Sequence, residues 1–499
     1  MTAATSDLLL TAPVVAPLAI AALYAAVGWR TVTAWAGLAA PAAMLACAAA
    51  LAGPHQQPVS AWGRLLRADA LSVWILLVIG AVALLACATG PAYLQAERRA
   101  GHADASAARR YGVLVHLFLA AMATAVLAAN LGVLWVAIEA TTIVTAFLVG
   151  HRRTRASVEA AWKYVVICSV GIGLAFLGTV LIYYAARQAG LSEADALDWP
   201  TLAAHASRLD PDVTRLGTAL VVFGFGAKAG LAPLQAWLPD AHSQAPAPVS
   251  ALMSGVLLAV SFTAVLRYKV IADAALGPAF VKGMLLGTAL LTLAVAAALL
   301  LGQSDYKRML AYSSMEHMSL IALGAASGNT LAMSAALLHI AGHGLAKTVA
   351  FCASGHILHL QHTTRIGRVR ALLTRAPALG AAFGLAVLAL LGLPPFSLFA
   401  SELAITRGTF AARLGWAMTI ALVLVLTAFA ALTTRTAHML LGITPATPVG
   451  QPSPPPAATT ASTWAPLAAG LLACAALGIS LGPLTGLLAD ATATVLGGH

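Results

Sequence analysis

Charged residues are scarce in this chain. Of its 499 residues, only 9% are Asp, Glu, Lys or Arg, whereas 60% are hydrophobic. Soluble globular domains carry about 25% charged and about 45–50% apolar residues. The composition therefore excludes an ordinary soluble protein and indicates a membrane protein with many spans.

Cysteine is also scarce, and the usual cofactor motifs are missing. Five cysteines stand singly in apolar runs without a C-x-x-C pair, so no iron–sulfur cluster, haem attachment or disulfide framework is indicated. No Walker loop is present, and the glycines at 224, 226 and 230 lack G-x-G-x-x-G spacing. We therefore expect no cofactor, no resident metal, no catalytic residue and no redox centre in this chain.

The net charge of +11 does not indicate nucleic-acid binding. Lys and Arg lie in short loops between apolar runs, and no basic helix with interleaved aromatic residues is present. The runs are too long and too continuous for the alternating strands of an outer-membrane barrel. The predicted fold class is an all-α polytopic membrane protein with about 14 transmembrane helices. The predicted spans cover 8–28, 31–52, 69–90, 111–129, 131–150, 162–185, 213–232, 247–268, 280–302, 308–326, 331–358, 378–400, 412–441 and 464–488.

The basic loops predict an orientation. The denser set of Lys and Arg residues falls within 98–110, 152–163, 307–308 and 365–375. Because basic loops are retained in the cytoplasm, these loops are placed inside, and both termini on the outer side of a bacterial inner membrane. The first run has no basic residue before it, so we interpret it as a retained helix rather than a cleaved signal.

Two predicted spans are interrupted by proline in similar positions, at Leu231-Ala-Pro233 and at Leu393-Pro394-Pro395, five spans apart. Corresponding broken helices are typical of transporters built from an inverted repeat, with ion sites at the breaks. We therefore predict two five-helix units with broken helices 7 and 12. The predicted domains are N-terminal helices 1–110, a first unit 111–270, a second unit 271–443, a Pro-rich linker 444–463 and a last helix 464–499.

Charged residues within the spans are the candidate functional residues. Glu139 lies in the middle of the fifth span, and Lys228 lies just before the first break. An ammonium group at bilayer depth costs about 3 kcal/mol on insertion scales, so such a group faces protein or water and usually has a function. Lys228 is the nearest partner for Glu139 in the sequence. The pair is either part of a proton relay or a fixed ion pair that holds two helices together.

The eleventh span carries His339, His343 and Lys347 at intervals of four, which places them on one face of a helix. Groups that titrate near neutral pH and lie one turn apart can pass a proton along the helix. Two histidines at i and i+4 can also share a zinc ion, but the span has no carboxylate or thiol to complete the set.

Glu402 completes the main candidates, and three further residues are auxiliary. Glu402 follows the second break and is interpreted either as an exit point for protons or as a solvated residue. Glu316 and His317 enter the tenth span, where they either join a polar axis or form a local cap. His242 lies beside the first break, next to Asp240.

Three ordered blocks of the sequence resemble a known family, that of the antiporter-like membrane subunits of complex I, of multisubunit cation/proton antiporters and of group 4 membrane-bound hydrogenases. The blocks are KAGLAPLQAWLPDAHSQAPAPVSALMSG, SDYKRMLAYSSMEHM and HGLAKTVAFCASGH. Within this family, IEATTIVTAFLVG and EAAWKYVVICSVGIGLAFLGTVLIYY look most like hydrogenase-4 component F, which is also similar to the complex I chain M type.

The resemblance implies roles for four residues. Glu139 would match the family's fifth-helix glutamate, Lys228 the seventh-helix lysine, His343 the eleventh-helix histidine and Glu402 the twelfth-helix glutamate. One position departs from the pattern, because Ala259 stands where the family often has an eighth-helix lysine. Water, His317 or the His339/His343/Lys347 stripe would then have to link the two half-paths.

The expected function is proton translocation within a larger membrane oxidoreductase of the hydrogenase-4 or NADH-quinone oxidoreductase type. Expected partners are other membrane subunits, including antiporter-like homologues, and a peripheral redox arm with iron–sulfur and possibly nickel–iron subunits. The expected cargo is H⁺ or Na⁺. The alternatives are a subunit of a stand-alone Na⁺/H⁺ antiporter and a membrane scaffold with vestigial channels, which the alanine at 259 favours.

Overall fold

The chain folds almost entirely into helices. The computed structural model describes residues 3–53, 58–442 and 461–497. The first half contains α1 Ala3–Val27, α2 Thr31–Ala36, α3 Ala39–Leu51, α4 Ala70–Arg99, α5 Ala105–Leu127, α6 Leu131–Val149, α7 Arg155–Gln188, α8 Trp199–His205, α9 Pro211–Lys228, α10 Trp237–Gln244, α11 Ala247–Leu252 and α12 Leu258–Leu276. The second half contains α13 Ala279–Leu301, α14 Tyr306–Ala326, α15 Thr330–Gln361, α16 Leu372–Arg375, α17 Pro377–Leu390, α18 Ser397–Ala411, α19 Gly415–Leu441, α20 Ala461–Ile479 and α21 Leu484–Leu496.

Five short elements complete the described secondary structure. A single π-helical turn, Met253–Leu257, joins α11 to α12. Strands β1 Val59–Ala61 and β2 Leu66–Ala68 pair antiparallel in a two-stranded hairpin before α4, with Ser60 opposite Arg67. Two 3₁₀ turns, Ala206–Arg208 and Ile366–Arg368, lie in connecting segments.

The described helices fit a polytopic membrane protein. Ten helices of the described ranges are long and apolar enough to cross a membrane, or eleven if the bent pair formed by α20 and α21 counts as one span. The other predicted spans correspond to α9 with α10, to α14, and to α17 with α18, which do not meet that criterion of length and hydropathy. The all-α membrane class is confirmed, and the number fourteen stays a prediction.

The last predicted span, 464–488, is not continuous. Helix α20 ends at Ile479, α21 begins at Leu484, and the two are bent by 76°. Gly482 has a positive φ of 51°, and Pro483 has no amide hydrogen to continue the helix. The chain therefore turns within the predicted span.

Both predicted interruptions are present, and they have the same local structure. Gly230 and Gly392 adopt left-handed conformations, with φ of 80° and 62°. The amide of the next residue reaches back five positions, from Leu231 to the Gly226 carbonyl at 2.8 Å and from Leu393 to the Leu388 carbonyl at 3.2 Å. Such six-to-one bonds satisfy carbonyls that the end of a helix leaves open. Cis peptide bonds follow at Ala232–Pro233 and Pro394–Pro395.

The helices of the two halves pack in a similar order. In the first half, α5 contacts α6, α6 contacts α7, and α7 contacts α9; in the second, α13 contacts α14, α14 contacts α15, and α15 contacts α17. The inverted relation of the two units and the domain boundaries stay predictions. The predicted linker 444–463 lies outside the described residues except for its end.

A buried ion pair ties the start of α4 to α12. The Arg267 guanidinium donates to both carboxylate oxygens of Asp69, at 2.6 and 2.7 Å, and to Ser72 Oγ at 2.9 Å. It also lies over the ring of Trp199, 4.2 Å from the centroid. Two hydrogen bonds from a guanidinium that is always charged stabilise the ionised carboxylate.

Replacing Arg267 by alanine should destabilise the chain strongly. Removing one partner of a buried pair leaves the other charge without compensation, which costs about 3–5 kcal/mol. Thermal unfolding of the purified protein in detergent measures this loss. The matched control is Arg215→Ala, because Arg215 forms an exposed pair with Asp212 and such pairs contribute about 0–1 kcal/mol. Equal melting temperatures for the two variants would contradict the assignment.

Candidate functional site

Lys228 is the most deeply buried cation of the first half. It is the last residue of α9, and its side chain is fully buried. Its ammonium group donates to Thr142 Oγ1 at 2.8 Å and to the hydroxyl of Tyr164. Because α9 ends here, the open carbonyls of its last turn also favour a positive charge. The break at Gly230 therefore helps to fix the position of the lysine.

Glu139 lies in the middle of α6, one turn before Thr142. One carboxylate oxygen accepts a hydrogen bond from Ser169 Oγ at 3.3 Å, and the other is buried without a partner. No ion pair within 4.0 Å joins Glu139 to Lys228. The predicted direct pairing is therefore not formed, because hydroxyl groups solvate the lysine instead. Lys228 nevertheless contacts the helix that carries the glutamate.

The hydroxyl groups around Lys228 were not identified from the sequence. Tyr164 Oη forms a second hydrogen bond, of 2.6 Å, with Thr145 Oγ1, so Thr142, Tyr164 and Thr145 form one connected polar cluster. The sequence did contain a signal for this cluster, because Thr145 lies one turn after Thr141 and Thr142 in the apolar helix that also holds Glu139. Threonines are common in helices without such a role, and this signal is therefore weak.

In the second half, three helices bring a carboxylate and two imidazoles together. His317 Nδ1 on α14 lies 3.1 Å from His339 Nε2 on α15, and 4.0 Å from Glu402 Oε1 on α18. His339 Nδ1 lies 2.8 Å from Ser401 Oγ. The structure thus places His317, first considered an auxiliary residue, between two primary candidates.

The carboxylate of Glu402 covers the second break. A Cβ atom built on Gly392 would lie 2.2 Å from Glu402 Oε2, so a side chain at position 392 would require the carboxylate to move. The Glu402 side chain keeps 24% of its surface exposed. Glu402 therefore contacts the histidines and is still partly exposed.

The predicted stripe on α15 is divided between two environments. The His343 ring lies 5.1 Å from that of His317, and its Nε2 is buried without a partner. Lys347, fully buried, donates to the Leu310 carbonyl at 2.7 Å and to Ser313 Oγ, both on α14. Glu316 is buried on α14 as well, but no ion pair within 4.0 Å links it to Lys347. The side chains of α14 thus contact both ends of the stripe.

His242 lies between the two groups. It is fully buried on α10, which packs against α7 and α14. Its ring centroid is 5.8 Å from that of Trp237 and 6.0 Å from that of Phe351 on α15, while Trp237 is 4.8 Å from Tyr164. Both ring nitrogens are buried without a partner. An imidazole with two free nitrogens can accept a proton on one side and donate one on the other.

Three of these groups could also hold a metal ion. Ligand atoms of His317, His339 and Glu402 lie within 4.8 Å of one another, the single such group of three among residues 3–53, 58–442 and 461–497. The hydrogen bond from His339 to Ser401 is the kind of contact that orients a metal-binding imidazole. The sequence suggested His339 and His343 as a possible zinc-binding pair, whereas the structure groups His339 with His317 and Glu402.

The fold and the buried ionisable residues at its breaks define a polytopic membrane protein of antiporter-like architecture. Residues 128–429 match a family model described as "NADH:quinone oxidoreductase/Mrp antiporter, TM". This match covers more than half of the chain and both breaks. The chain belongs to this family.

Relatives of known description agree with this assignment. The chain is 36% identical over 349 residues to "Hydrogenase-4 component F homolog" of Methylacidiphilum infernorum, with 70% of this chain and 73% of the relative aligned. It is 32% identical over 339 residues to "NADH-quinone oxidoreductase subunit N" of Desulforudis audaxviator, with 67% and 64% aligned. It spans only 50% of "Hydrogenase-4 component B" of Escherichia coli, at 30% identity.

Solved structures share the fold over almost the whole chain. A chain of the Mrp complex from a Dietzia species matches with a TM-score of 0.84 at 22% identity, covering 98% of this chain and 97% of that one. A chain of respiratory complex I from Thermus thermophilus matches with a TM-score of 0.79 at 24% identity, covering 99% and 100%. At these identities the likeness establishes the fold.

Zinc can serve as a probe of the His317/His339/Glu402 geometry. We expect Zn²⁺ added to the purified protein to bind at this group, because two imidazoles and a carboxylate form a common zinc ligand set. His339→Ala should weaken binding by at least about tenfold, as measured by calorimetry in detergent. His205→Ala, on α8 and outside the group, is the control. Unchanged affinity in His339→Ala would show that zinc binds elsewhere.

Proposed function

We propose that this chain is a proton-translocating, antiporter-like subunit of a multisubunit membrane oxidoreductase of the hydrogenase-4 or NADH-quinone oxidoreductase type. The observation that carries the proposal is the pairing of each broken helix with a buried ionisable group, Lys228 at the first break and Glu402 at the second. Redox chemistry in partner subunits supplies the energy, and this chain moves the protons.

In the first half, the proton is held on Lys228. Thr142 and Tyr164 accept hydrogen bonds from the ammonium group, and Tyr164 and Thr145 extend the polar chain along α6. Glu139 has a free buried oxygen, so it can take up a proton without breaking an ion pair. At an effective dielectric constant of about 20, two unit charges 4 Å apart interact by about 4 kcal/mol, and at larger separations by proportionally less. Charging of Glu139 therefore favours the protonated lysine.

In the second half, the hydrogen bond between His317 and His339 is the transfer step. At 3.1 Å, one ring nitrogen donates to the other, so the two imidazoles must exchange roles when a proton passes. The Ser401 hydroxyl can donate a hydrogen bond to His339 or accept one from it, so it can stabilise either protonation state of that imidazole. Glu402 receives the proton at the second break and releases it at its exposed side.

His242 is the proposed link between the halves. Ala259 is buried on α12 and has no group that can carry a proton. His242 is fully buried, its two nitrogens lack partners, and Trp237 and Phe351 flank it toward the first and second groups. Water beside this imidazole would connect it to Lys347 and to the Tyr164 cluster.

The names of the relatives, which are subunits of hydrogenase-4 and of NADH-quinone oxidoreductase, support a set of partners. We infer that the chain assembles with further antiporter-like membrane subunits and with a peripheral arm of iron–sulfur and, in a hydrogenase, nickel–iron subunits. The distribution of Lys and Arg supports a cytoplasmic position for the denser basic loops, with both termini on the outer side of a bacterial inner membrane.

A second candidate is a subunit of a stand-alone Na⁺/H⁺ antiporter. The likeness to a chain of the Mrp complex, with a TM-score of 0.84, favours it. A scaffold with vestigial channels is the third, favoured by the alanine at 259. Proton flux that needs Na⁺ on the opposite side of the membrane would support the antiporter, and redox-driven flux independent of Na⁺ supports the oxidoreductase.

Lys228→Ala and Glu139→Gln should each abolish proton translocation and leave assembly intact. Each variant removes a titratable group but keeps the helices, and the buried hydroxyl cluster cannot carry a net charge by itself. The measurement is acidification of inverted membrane vesicles on addition of electron donor, with subunit content determined in the same membranes. Lys282→Ala, which changes a lysine near the start of α13, is the matched control. Normal translocation in the Lys228 variant would refute the mechanism.

His242→Phe should slow proton translocation without abolishing the charge on Lys228. Phenylalanine keeps an aromatic ring between Trp237 and Phe351 but cannot hold a proton, so only water remains as the link. The initial rate of acidification in the same vesicles measures the effect, and His205→Phe provides the control. A rate equal to that of the unmodified complex would exclude His242 from the path.

A further inference from the structure

A basic cavity lies away from the buried polar residues of the proposed proton path. It has a volume of about 1060 Å³ and is enclosed by the segment between α1 and α2, by α2 itself, by the end of α4, by the last turns of α15, and by the starts of α17 and α20. The cavity is open on one side. It lies among the loops that the distribution of Lys and Arg places in the cytoplasm.

The lining of the cavity is strongly positive. Arg30, Arg98 and Arg99 contribute three guanidinium groups, and no Asp or Glu lines the cavity. None of the three arginines has a carboxylate within 4.0 Å in residues 3–53, 58–442 and 461–497. The segments outside those ranges contain no Asp or Glu. Among the residues that the structure describes, these charges therefore lack a carboxylate partner.

Glu97, the acidic residue next to Arg98 in the sequence, already has other partners. Glu97 is almost fully buried, and Arg152 donates to both of its oxygens at 2.5 and 2.9 Å. His359 Nε2 contacts the same carboxylate at 2.6 Å. Glu97 therefore cannot neutralise Arg98 and Arg99, although it is their neighbour in the sequence.

Two histidines line one wall of the cavity. His359 is held there through Nε2, which contacts the Glu97 carboxylate. His356 lines the same wall one turn earlier.

The remaining lining is suited to the boundary of a bilayer. Trp29 and Trp35 lie at the cavity, and Trp35 is 43% exposed. Tryptophan is enriched where hydrocarbon meets headgroups. Pro91, Leu360 and Leu379 supply an apolar wall beside the arginines. The cavity therefore offers a positive end for phosphate and an apolar side for acyl chains.

We propose that this cavity binds the phosphate headgroup of an anionic phospholipid, with Arg30, Arg98 and Arg99 contacting the phosphate. Basic cavities between membrane helices are suited to such headgroups. A bound lipid would join α2, α4, α15 and α17 at one surface. Because α15 carries His339, His343 and Lys347, the lipid would hold the end of that helix in place, whatever the chain transports.

The test uses the purified complex in nanodiscs. Phosphatidylglycerol should be retained in native mass spectra, whereas phosphatidylcholine should not. The combined variant Arg30→Gln/Arg98→Gln/Arg99→Gln should bind phosphatidylglycerol about 100-fold more weakly. The matched control is Arg365→Gln/Arg368→Gln, which removes two arginines from another loop of the same predicted side and outside the cavity.

Each outcome decides the proposal. Equal retention of the two lipids, or unchanged phosphatidylglycerol binding in the triple variant, would overturn it. A rise in melting temperature with inorganic phosphate as large as that with phosphatidylglycerol would also overturn it and would indicate a site for a soluble anion. If the triple variant does not fold, Arg98→Gln alone, which changes an exposed residue, provides the same comparison.

Discussion

A charge inside an apolar bundle must be solvated by the protein, and this requirement organises the structure. Lys228 is solvated by two hydroxyls and by the end of its own helix, and Lys347 by a carbonyl and a hydroxyl of α14. Neither lysine forms an ion pair. A cation held by neutral groups can gain or lose its proton without leaving an opposite charge stranded, whereas a buried ion pair would resist the change. The environment of these lysines is therefore suited to proton transfer rather than to holding two helices together permanently.

Other charged residues hold the helices together. Asp69 with Arg267, and Glu97 with Arg152 and His359, form ion-paired groups near the ends of helices. These pairs fix α4 to α12 and to α15, and they satisfy the carboxylates completely enough to keep them charged. The chain thus separates ionised groups that hold helices together from groups in the interior whose protonation can change.

The sequence allowed the class and the two breaks to be predicted, and it singled out the charged residues within the spans as candidates, because a charge or a proline in an apolar run is costly and easy to recognise. It did not allow the contacts to be predicted. Glu139 was expected to pair with Lys228, but the hydroxyl groups of Thr142 and Tyr164 bind its ammonium group instead. His317 was considered a weaker candidate than His343, but His317 is the residue that contacts His339 and Glu402. Hydroxyl groups are common in apolar helices, and which of them meet depends on helix rotation and packing. The continuity of the last predicted span was also wrong, since the chain turns at Gly482 and Pro483 between α20 and α21.

The contact between Glu402 and Gly392 constrains how this family can vary. Because a Cβ atom at position 392 would meet the Glu402 carboxylate, that glycine has two roles: it provides the left-handed turn, and it leaves the volume that the carboxylate fills. We therefore expect substitutions at the two positions to be coupled. A relative with a side chain at position 392 would need a shorter or reoriented residue at position 402. A relative without the acid at position 402 would still need the glycine for the left-handed turn.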